Sequence, residues 1–393
     1  MHPSARLGPN HDQMTTHLVT AVGLLVGLVL FGRPRTVRIG GRRDLDGPTG
    51  TVRVVIPARN EAASIGNLLQ DLAGQVGDGW EVVVVDDGSE DTTAEIARQF
   101  DFVTVVTAPP RPPAWVGKPW ACTVGVHHLS GEPAEELVFL DADVRLAPGA
   151  LAAVVGERRA HGGVLSVQPF HRAGSAVEEL SALFNVVSFM GIGAASAHPH
   201  GLFGPVIACR RDDYHAVGGH GSVRSAVIED VELALAFDAA GIPVAVRAGG
   251  QAVSFRMYPL GLRSIVDGWS KNMALGARSV PAWRTLGVAW WVTSLVSASA
   301  IPATWWANPS WTAAAVYVAA VLVLRSVLRR VGSFRWWVAA AFPVVTAFFV
   351  AVFVRSLWWT YVRRSVAWRG RVIDLRAASR PVGDLTSVDG ERP

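Results

Sequence analysis

From Val338 to Val354 the chain carries no charged residue, and this limits what it can fold into more than any other feature. In a water-soluble domain charge interrupts apolar runs every few residues, whereas an uncharged run approaching the length of a bilayer crossing must be buried in lipid or protein. Half of the 393 residues are hydrophobic, and the excess lies in two places: His17 to Phe31, and a Trp-, Val- and Ala-rich region from Leu286 to Tyr361. The expected organisation is an integral membrane protein. It has a disordered 1–15, a transmembrane anchor at 16–32, a catalytic-type domain at 50–280, about three spans within 286–361, and a tail at 362–393 that is basic and then disordered.

The net charge of +4 does not indicate nucleic acid. The cations sit beside apolar runs: Arg33, Arg35, Arg38, Arg42 and Arg43 after the first, and Arg325, Arg329, Arg330 and Arg335 between later ones. Such positions are what anionic headgroups and the positive-inside rule select. The arginines follow the first run and no Ala-x-Ala site succeeds it, so it reads as a retained anchor that leaves the next segment cytoplasmic. Spans are expected at Leu286 to Ala307, Trp311 to Leu328 and Trp336 to Trp358, with the Trp290-Trp291, Trp305-Trp306, Trp336-Trp337 and Trp358-Trp359 pairs at interfaces. That count would place Arg363, Arg364, Arg369 and Arg371 outside, against the rule. Breaks at Pro302 or Pro343, or a first run too short to cross, would resolve the conflict. Cys122 and Cys209 have no metal-ligand spacing and read as reduced cytoplasmic thiols.

Strand and helix patterns alternate between the membrane segments. A strand from Thr51 to Ile56 ends in Pro57-Ala58-Arg59-Asn60-Glu61 before a helix over 63–75. A strand from Glu81 to Val85 ends in Asp86-Asp87-Gly88-Ser89 before a helix from Asp91 to Phe100, which Ser89 and Asp91 can cap. A strand from Phe102 to Val106, a Pro-rich loop from Ala108 to Pro119 and a helix from Trp120 to Ser130 lead to a strand ending at Asp141-Ala142-Asp143. Alternation of this kind predicts an α/β fold with a mostly parallel sheet, and ligands bind at the carboxyl edge of such sheets. Asp87, Asp141 and Asp143 would meet there. A Gly-x-Gly-x-x-Gly turn and a Walker-type loop are both missing. Phosphate charge is then expected to be met through carboxylates bridged by Mg²⁺ or Mn²⁺, hard cations that take both kinds of oxygen.

Five segments in order resemble the family 2 glycosyltransferases with a GT-A fold: Pro57 to Glu61, the V-V-V-V-D-D-G-S-E-D-T run from Val82 to Thr92, Gly117-Lys118-Pro119-Trp120-Ala121, Asp141-Ala142-Asp143 and Glu229-Asp230. The resemblance covers roughly residues 50 to 280. Gly204 to Arg211, Asp267 to Asn272 and Trp368-Arg369-Gly370-Arg371 are similar to a membrane-bound bacterial branch that includes carotenoid (diaponeurosporenoate-type) and hopene-associated glycosyltransferases. The resemblance implies that Pro57, Ala58, Glu61, Asp87, Lys118, Asp141 and Asp143 bind a UDP-sugar donor. It further implies that Asp143 holds the metal, that Asp230 is the catalytic base, and that Glu229, Trp269 and Lys271 serve the acceptor or diphosphate. The Gln-x-x-Arg-Trp motif of processive members reads Ile265-Val266-Asp267-Gly268-Trp269 here, without its Arg. Lys271, Arg256 or Arg263 could replace that charge, and the loss argues against a polysaccharide synthase.

Each signal has a plainer reading. Asp86 to Ser89 can be a turn with a helix cap, Asp141 and Asp143 a solvated strand end, Glu229-Asp230 an acidic first turn, and Lys118 a surface lysine. His198 and His200 fit a loop better than a metal site. The apolar Val177 to Ala197 segment, with Glu178, Glu179 and Asn185, is expected to lie flat on the membrane, and Arg256 to Leu260 has the same interfacial mix. Together the expectation is an inverting, metal-dependent transferase in the cell membrane. It would be multi-pass with a cytoplasmic catalytic domain and would move a hexose, glucose by preference, from a UDP-sugar to a lipid such as a carotenoid acid, hopanoid or polyprenol. The alternatives are a polyprenyl-phosphate sugar transferase, a polysaccharide synthase, or a non-catalytic membrane scaffold with a nucleotide-sugar fold.

Overall fold

The computed structural model describes residues 9–40, 50–128, 134–226, 228–307, 309–363, 365–368 and 371–374. Arg42, Arg43, Ser130, Arg364, Arg369, Gly370 and the segments 1–8 and 375–393 lie outside them. Strands β1 (Val52–Ala58), β2 (Trp80–Asp86), β3 (Val103–Thr107) and β4 (Glu136–Leu140) join β6 (Val164–Gln168), β8 (Val206–Arg210) and β9 (Val244–Ala248) in a seven-stranded sheet ordered β3-β2-β1-β4-β8-β6-β9. Only β8 runs antiparallel to its neighbours. Val82 to Val85 are wholly buried, as parallel strands covered on both faces require. A smaller sheet of β5 (Val144–Leu146), β7 (Phe170–His171) and β10 (Val253–Phe255) lies beyond β4.

Register aligns Ala58 of β1 with Asp86 of β2, so the turns after the two strands stand side by side. They are tied together: Asn60 N–H donates to Ser89 Oγ (3.0 Å), Glu90 N–H to Asn60 Oδ1 (2.8 Å) and Ala62 N–H to Asp91 Oδ2 (3.1 Å). Asn60 has φ +54°, a left-handed backbone that Asn tolerates better than most residues. Ser89 therefore does not cap the following helix, which is short (Thr93–Ala97). Asp91 Oδ1 accepts from Thr93 N–H (3.1 Å), and the serine hydroxyl is taken by the neighbouring turn.

Among the described residues, four helices are long and apolar enough to cross a membrane: Gln13–Phe31, Ala282–Thr304, Trp311–Val331 and Phe342–Arg363. The first begins earlier than expected, at Pro9, because helical backbone bonds are local and continue through polar residues. Two of the other three expected spans are interrupted near prolines, while Trp311–Val331 is continuous. Ile301–Thr304 is separate from Ala282–Ser299, and Trp336–Ala340 is separate from Phe342–Leu357. In both cases the proline occupies the first turn of the new helix, where its missing N–H costs nothing. Within the tail, Ser365–Trp368 and Arg371–Asp374 pair as antiparallel strands, so that part of 362–393 has regular structure. Val366, Trp368, Val372 and Ile373 are residue types that favour strands.

The first helix packs on Ala282–Ser299 through small residues. A Cβ at Gly23 would collide with Trp290 and Ser294, and one at Gly27 with Trp291. Thr20 Oγ1 donates to Ser297 Oγ (3.1 Å) across the seam. Trp291 is consequently fully buried, not an interface anchor. Close approach at small residues is how helices associate in lipid. Gly27→Leu is expected to destabilise the fold by about 1–3 kcal/mol through overpacking, read as a lower unfolding temperature of the full chain in detergent.

The flat-lying reading of Val177 to Ala197 is corrected. Glu178–Ser181 forms a 3₁₀ turn and Ala182–Gly191 a helix buried between the sheet and the apolar helices. Its polar residues are neutralised there: Glu178 by Arg256 (2.7 Å), Glu179 by Arg335 (3.2 Å), and Asn185 through His171 Nδ1 (3.0 Å) and the Ser181 carbonyl (2.9 Å). For the two glutamates, arginines distant in sequence supply what burial demands.

Candidate active site

A cavity of about 2890 Å³ opens at the carboxyl ends of β1, β2 and β4. Its lining includes every residue assigned from sequence: Pro57, Ala58, Glu61, Asp87, Lys118, Asp141, Asp143, Glu229, Asp230, Trp269 and Lys271. Typical small-molecule pockets reach only about 1,000 Å³, so there is room for two substrates. The sequence reading passed over Arg111, Trp115, Asn67 and Gln168, which share the lining. Arg111 and Trp115 sit on a loop and Asn67 in the helix Ile65–Leu72, while Gln168 ends β6 as an amide with no acid to mark it.

Lys118 lies at the centre of the polar half, in the first turn of the helix Gly117–His127. Its Nζ is 2.6 Å from Asp141 Oδ1 and 3.4 Å from Glu229 Oε1, and donates to the Gly204 carbonyl at 3.2 Å. Burial disfavours its charge, but the two carboxylates outweigh that and hold it protonated well above the usual lysine range. Gly117, just before it, lies so close to Asp87 that a side chain would strike the carboxylate.

Glu229 and Asp230 open the helix Glu229–Ala239. Asp230 Oδ2 accepts from Gly204 N–H (3.0 Å) and Oδ1 from Val231 N–H (3.0 Å). Despite these bonds, burial and then the adjacent Glu229 charge push its carboxyl up to about 6. Glu229 moves the other way: burial opposes its ionisation, but Lys118 and then Lys271 hold it below the ordinary glutamate value. Burial raises Asp141 against the pull of Lys118. Two neighbouring carboxyls driven apart in this way can take different roles, one fixed as an anion and one poised to accept a proton.

Trp269 forms part of the wall and does not reach into the space as a platform. It is 6% exposed, stacks on Phe184 at 5.0 Å between ring centroids, and donates to Ser181 Oγ at 3.3 Å. Of the cations considered in place of the motif's Arg, Arg256 is committed to Glu178, and Arg263 is 97% exposed at 3.8 Å from Asp267. Arg355, on the last apolar helix, also lines the cavity. It donates to Asp267 Oδ1 (2.9 Å) and Ser270 Oγ (2.8 Å) and covers the Trp359 ring at 4.4 Å. A charge inside an otherwise apolar helix was the signal that could have found it. His200 is tied through its backbone N–H to the Ile192 carbonyl (2.7 Å), in keeping with a loop role.

The donor set suits a hard cation. Asp141 and Asp143 offer oxygen to one cavity, and among the described residues no group of three or more His, Cys, Asp or Glu could hold an ion unaided. Mg²⁺ characteristically takes one or two carboxylates and completes its shell with water and substrate phosphates. The residues therefore fit a metal that arrives with a diphosphate.

The carboxyl edge of the α/β sheet thus gathers these acids around one cavity. The family model for glycosyl transferase family 2 matches residues 53–214. The 4,4'-diaponeurosporenoate glycosyltransferases of Staphylococcus aureus strains USA300 and MRSA252 are each 30% identical over 365 residues, covering 90% of this chain and 96% of theirs. Among solved structures, the mannosyltransferase PcManGT from Pyrobaculum calidifontis, in complex with GDP-Man and Mn²⁺, is similar with a TM-score of 0.54 at 20% identity, covering 87% of this chain and 98% of that one. The chain belongs to glycosyltransferase family 2, and it is an enzyme of that class.

Proposed function

We propose that the protein is an inverting, divalent-metal-dependent glycosyltransferase that moves a hexose, glucose by preference, from a UDP-sugar to a membrane lipid of the carotenoid-acid type. A hopanoid or polyprenol would be handled by the same geometry. One observation carries this reading: the cavity that begins among the acids is also walled by Val288, Val292 and Val296 of the helix Ala282–Ser299 and by Phe349 and Phe353 of Phe342–Leu357. A nucleotide needs no such wall, whereas a lipid chain does. The diaponeurosporenoate relatives, with 96% of their length covered, support the carotenoid-type acceptor.

In this reading Pro57, Ala58, Glu61 and Asp87 line the nucleoside end, and Lys118 lies beside the diphosphate with its charge fixed. Asp141 and Asp143 would hold Mg²⁺ or Mn²⁺ against the diphosphate, and the bound ion would neutralise charge developing on the leaving group. Where the acceptor is a hydroxyl, or a carboxyl that arrives un-ionised, Asp230 takes its proton as the acceptor oxygen attacks the anomeric carbon from the face opposite the departing UDP, whose bond to that carbon breaks. The helix spanning Gln13–Phe31, followed by Arg33, Arg35 and Arg38, favours a multi-pass protein of the cell membrane with this site on the cytoplasmic side.

Membranes containing the protein, given radiolabelled UDP-glucose and Mn²⁺, are expected to place label in the organic extract and release UDP. Label retained in polymer would favour a polysaccharide synthase instead. Transfer that persists in excess chelator would remove the metal from the reading.

A further inference from the structure

A loop joins β10 to the helix Leu262–Arg278. Leu260 is 89% and Leu262 49% exposed, and the Arg263 side chain is 97% exposed. Two apolar side chains in water beside an outward guanidinium are ill suited to a solvated surface and well suited to a bilayer interface. Tyr258, with φ +56°, turns the chain outward ahead of Pro259, and its ring packs on Gly268, where a Cβ could not fit. A left-handed backbone at a residue other than glycine is retained where the surroundings enforce it.

The position of the loop identifies what covers it. The helix that follows is bonded to the last apolar span through Asp267 and Ser270 to Arg355. At about 1.5 Å per residue, Leu262 lies only about 8–12 Å along that helix from Asp267 and Ser270. The loop also lines the cavity mouth, continuous with the apolar walls. We infer that residues 258–263 form a lip inserted into the headgroup region of the bilayer, with Leu260 and Leu262 in the acyl boundary and Arg263 on anionic headgroups, and that the lipid acceptor enters the cavity past it. The entry role rests on the proposed lipid acceptor. Insertion of the lip does not.

The two native cysteines, Cys122 and Cys209, are both buried, so Leu260→Cys gives the full chain one accessible thiol for a fluorophore. In nanodiscs of phosphatidylcholine and phosphatidylglycerol the label is expected to be quenched by lipid carrying a nitroxide near the headgroup and shielded from aqueous iodide. Quenching by iodide alone overturns the insertion and points to a soluble partner for this surface. Leu260→Ser with Leu262→Ser should raise the KM for bilayer-borne acceptor about tenfold and leave UDP affinity unchanged. An unchanged acceptor KM overturns the entry role. A lipid-quenched label in a protein that transfers no sugar to lipid would uphold the lip while counting against the proposed acceptor.

Discussion

Asp143→Ala is expected to abolish sugar transfer and, with it, metal-dependent donor binding. The residue lines the cavity two positions beyond Asp141, and the described residues offer no three-ligand group that could compensate for its loss. Removing a carboxylate that would face the metal is expected to cost about 3 kcal/mol, or roughly a hundredfold in affinity. The transition state, in which the leaving diphosphate gains charge, should lose more, so turnover should fall by about 10³-fold or beyond. Isothermal titration of UDP with and without Mn²⁺ separates the two effects. If Mn²⁺ still tightened UDP binding to the variant as much as to the parent, Asp143 would not hold the metal.

Asp230→Asn should behave differently. The amide keeps the shape of the carboxylate but cannot take a proton, so kcat is expected to fall about 10²- to 10⁴-fold while UDP-sugar affinity stays near that of the parent. The pH profile supplies the sign. With its carboxyl pushed up to about 6, Asp230 is protonated and inactive below that value and ionised above it. The parent's kcat/KM should thus climb as pH rises through about 6 and then level off, and this limb should be missing from the variant. A residual limb at the same pH, or a largely retained rate, would assign Asp230 to the positioning of Gly204 through its 3.0 Å bond and not to proton transfer.

Much of the catalytic half was legible in the linear chain because its signals are local. Valine runs buried on both faces define parallel strands, and the acids at their ends must then fall at one edge of the sheet. Glu229 and Asp230 could be placed only by resemblance, since an acidic first turn is what any helix favours. Their proximity to Lys118, and the opposite directions in which their carboxyls are driven, depend on Gly204 and Asp141 arriving from other strands. Trp269 was assigned a contact role from a motif remnant, but its environment is set by Phe184 and Ser181.

The apolar segments divide in the same way. The approximate limits of the long apolar helices follow from run length, because length and apolarity are properties of consecutive residues. The burial of Val177 to Ala197, the pairing of Gly27 with Trp291 and the reach of Arg355 to Asp267 do not. Sequence alone determined the strand-helix alternation, the acids that end the strands and the apolar helices, since each depends on neighbouring residues and the periodicity of the backbone. Only the tertiary structure decided which charges neutralise one another and which apolar faces wall the cavity. Those depend on distances between segments far apart along the chain, which packing sets once the whole core has closed.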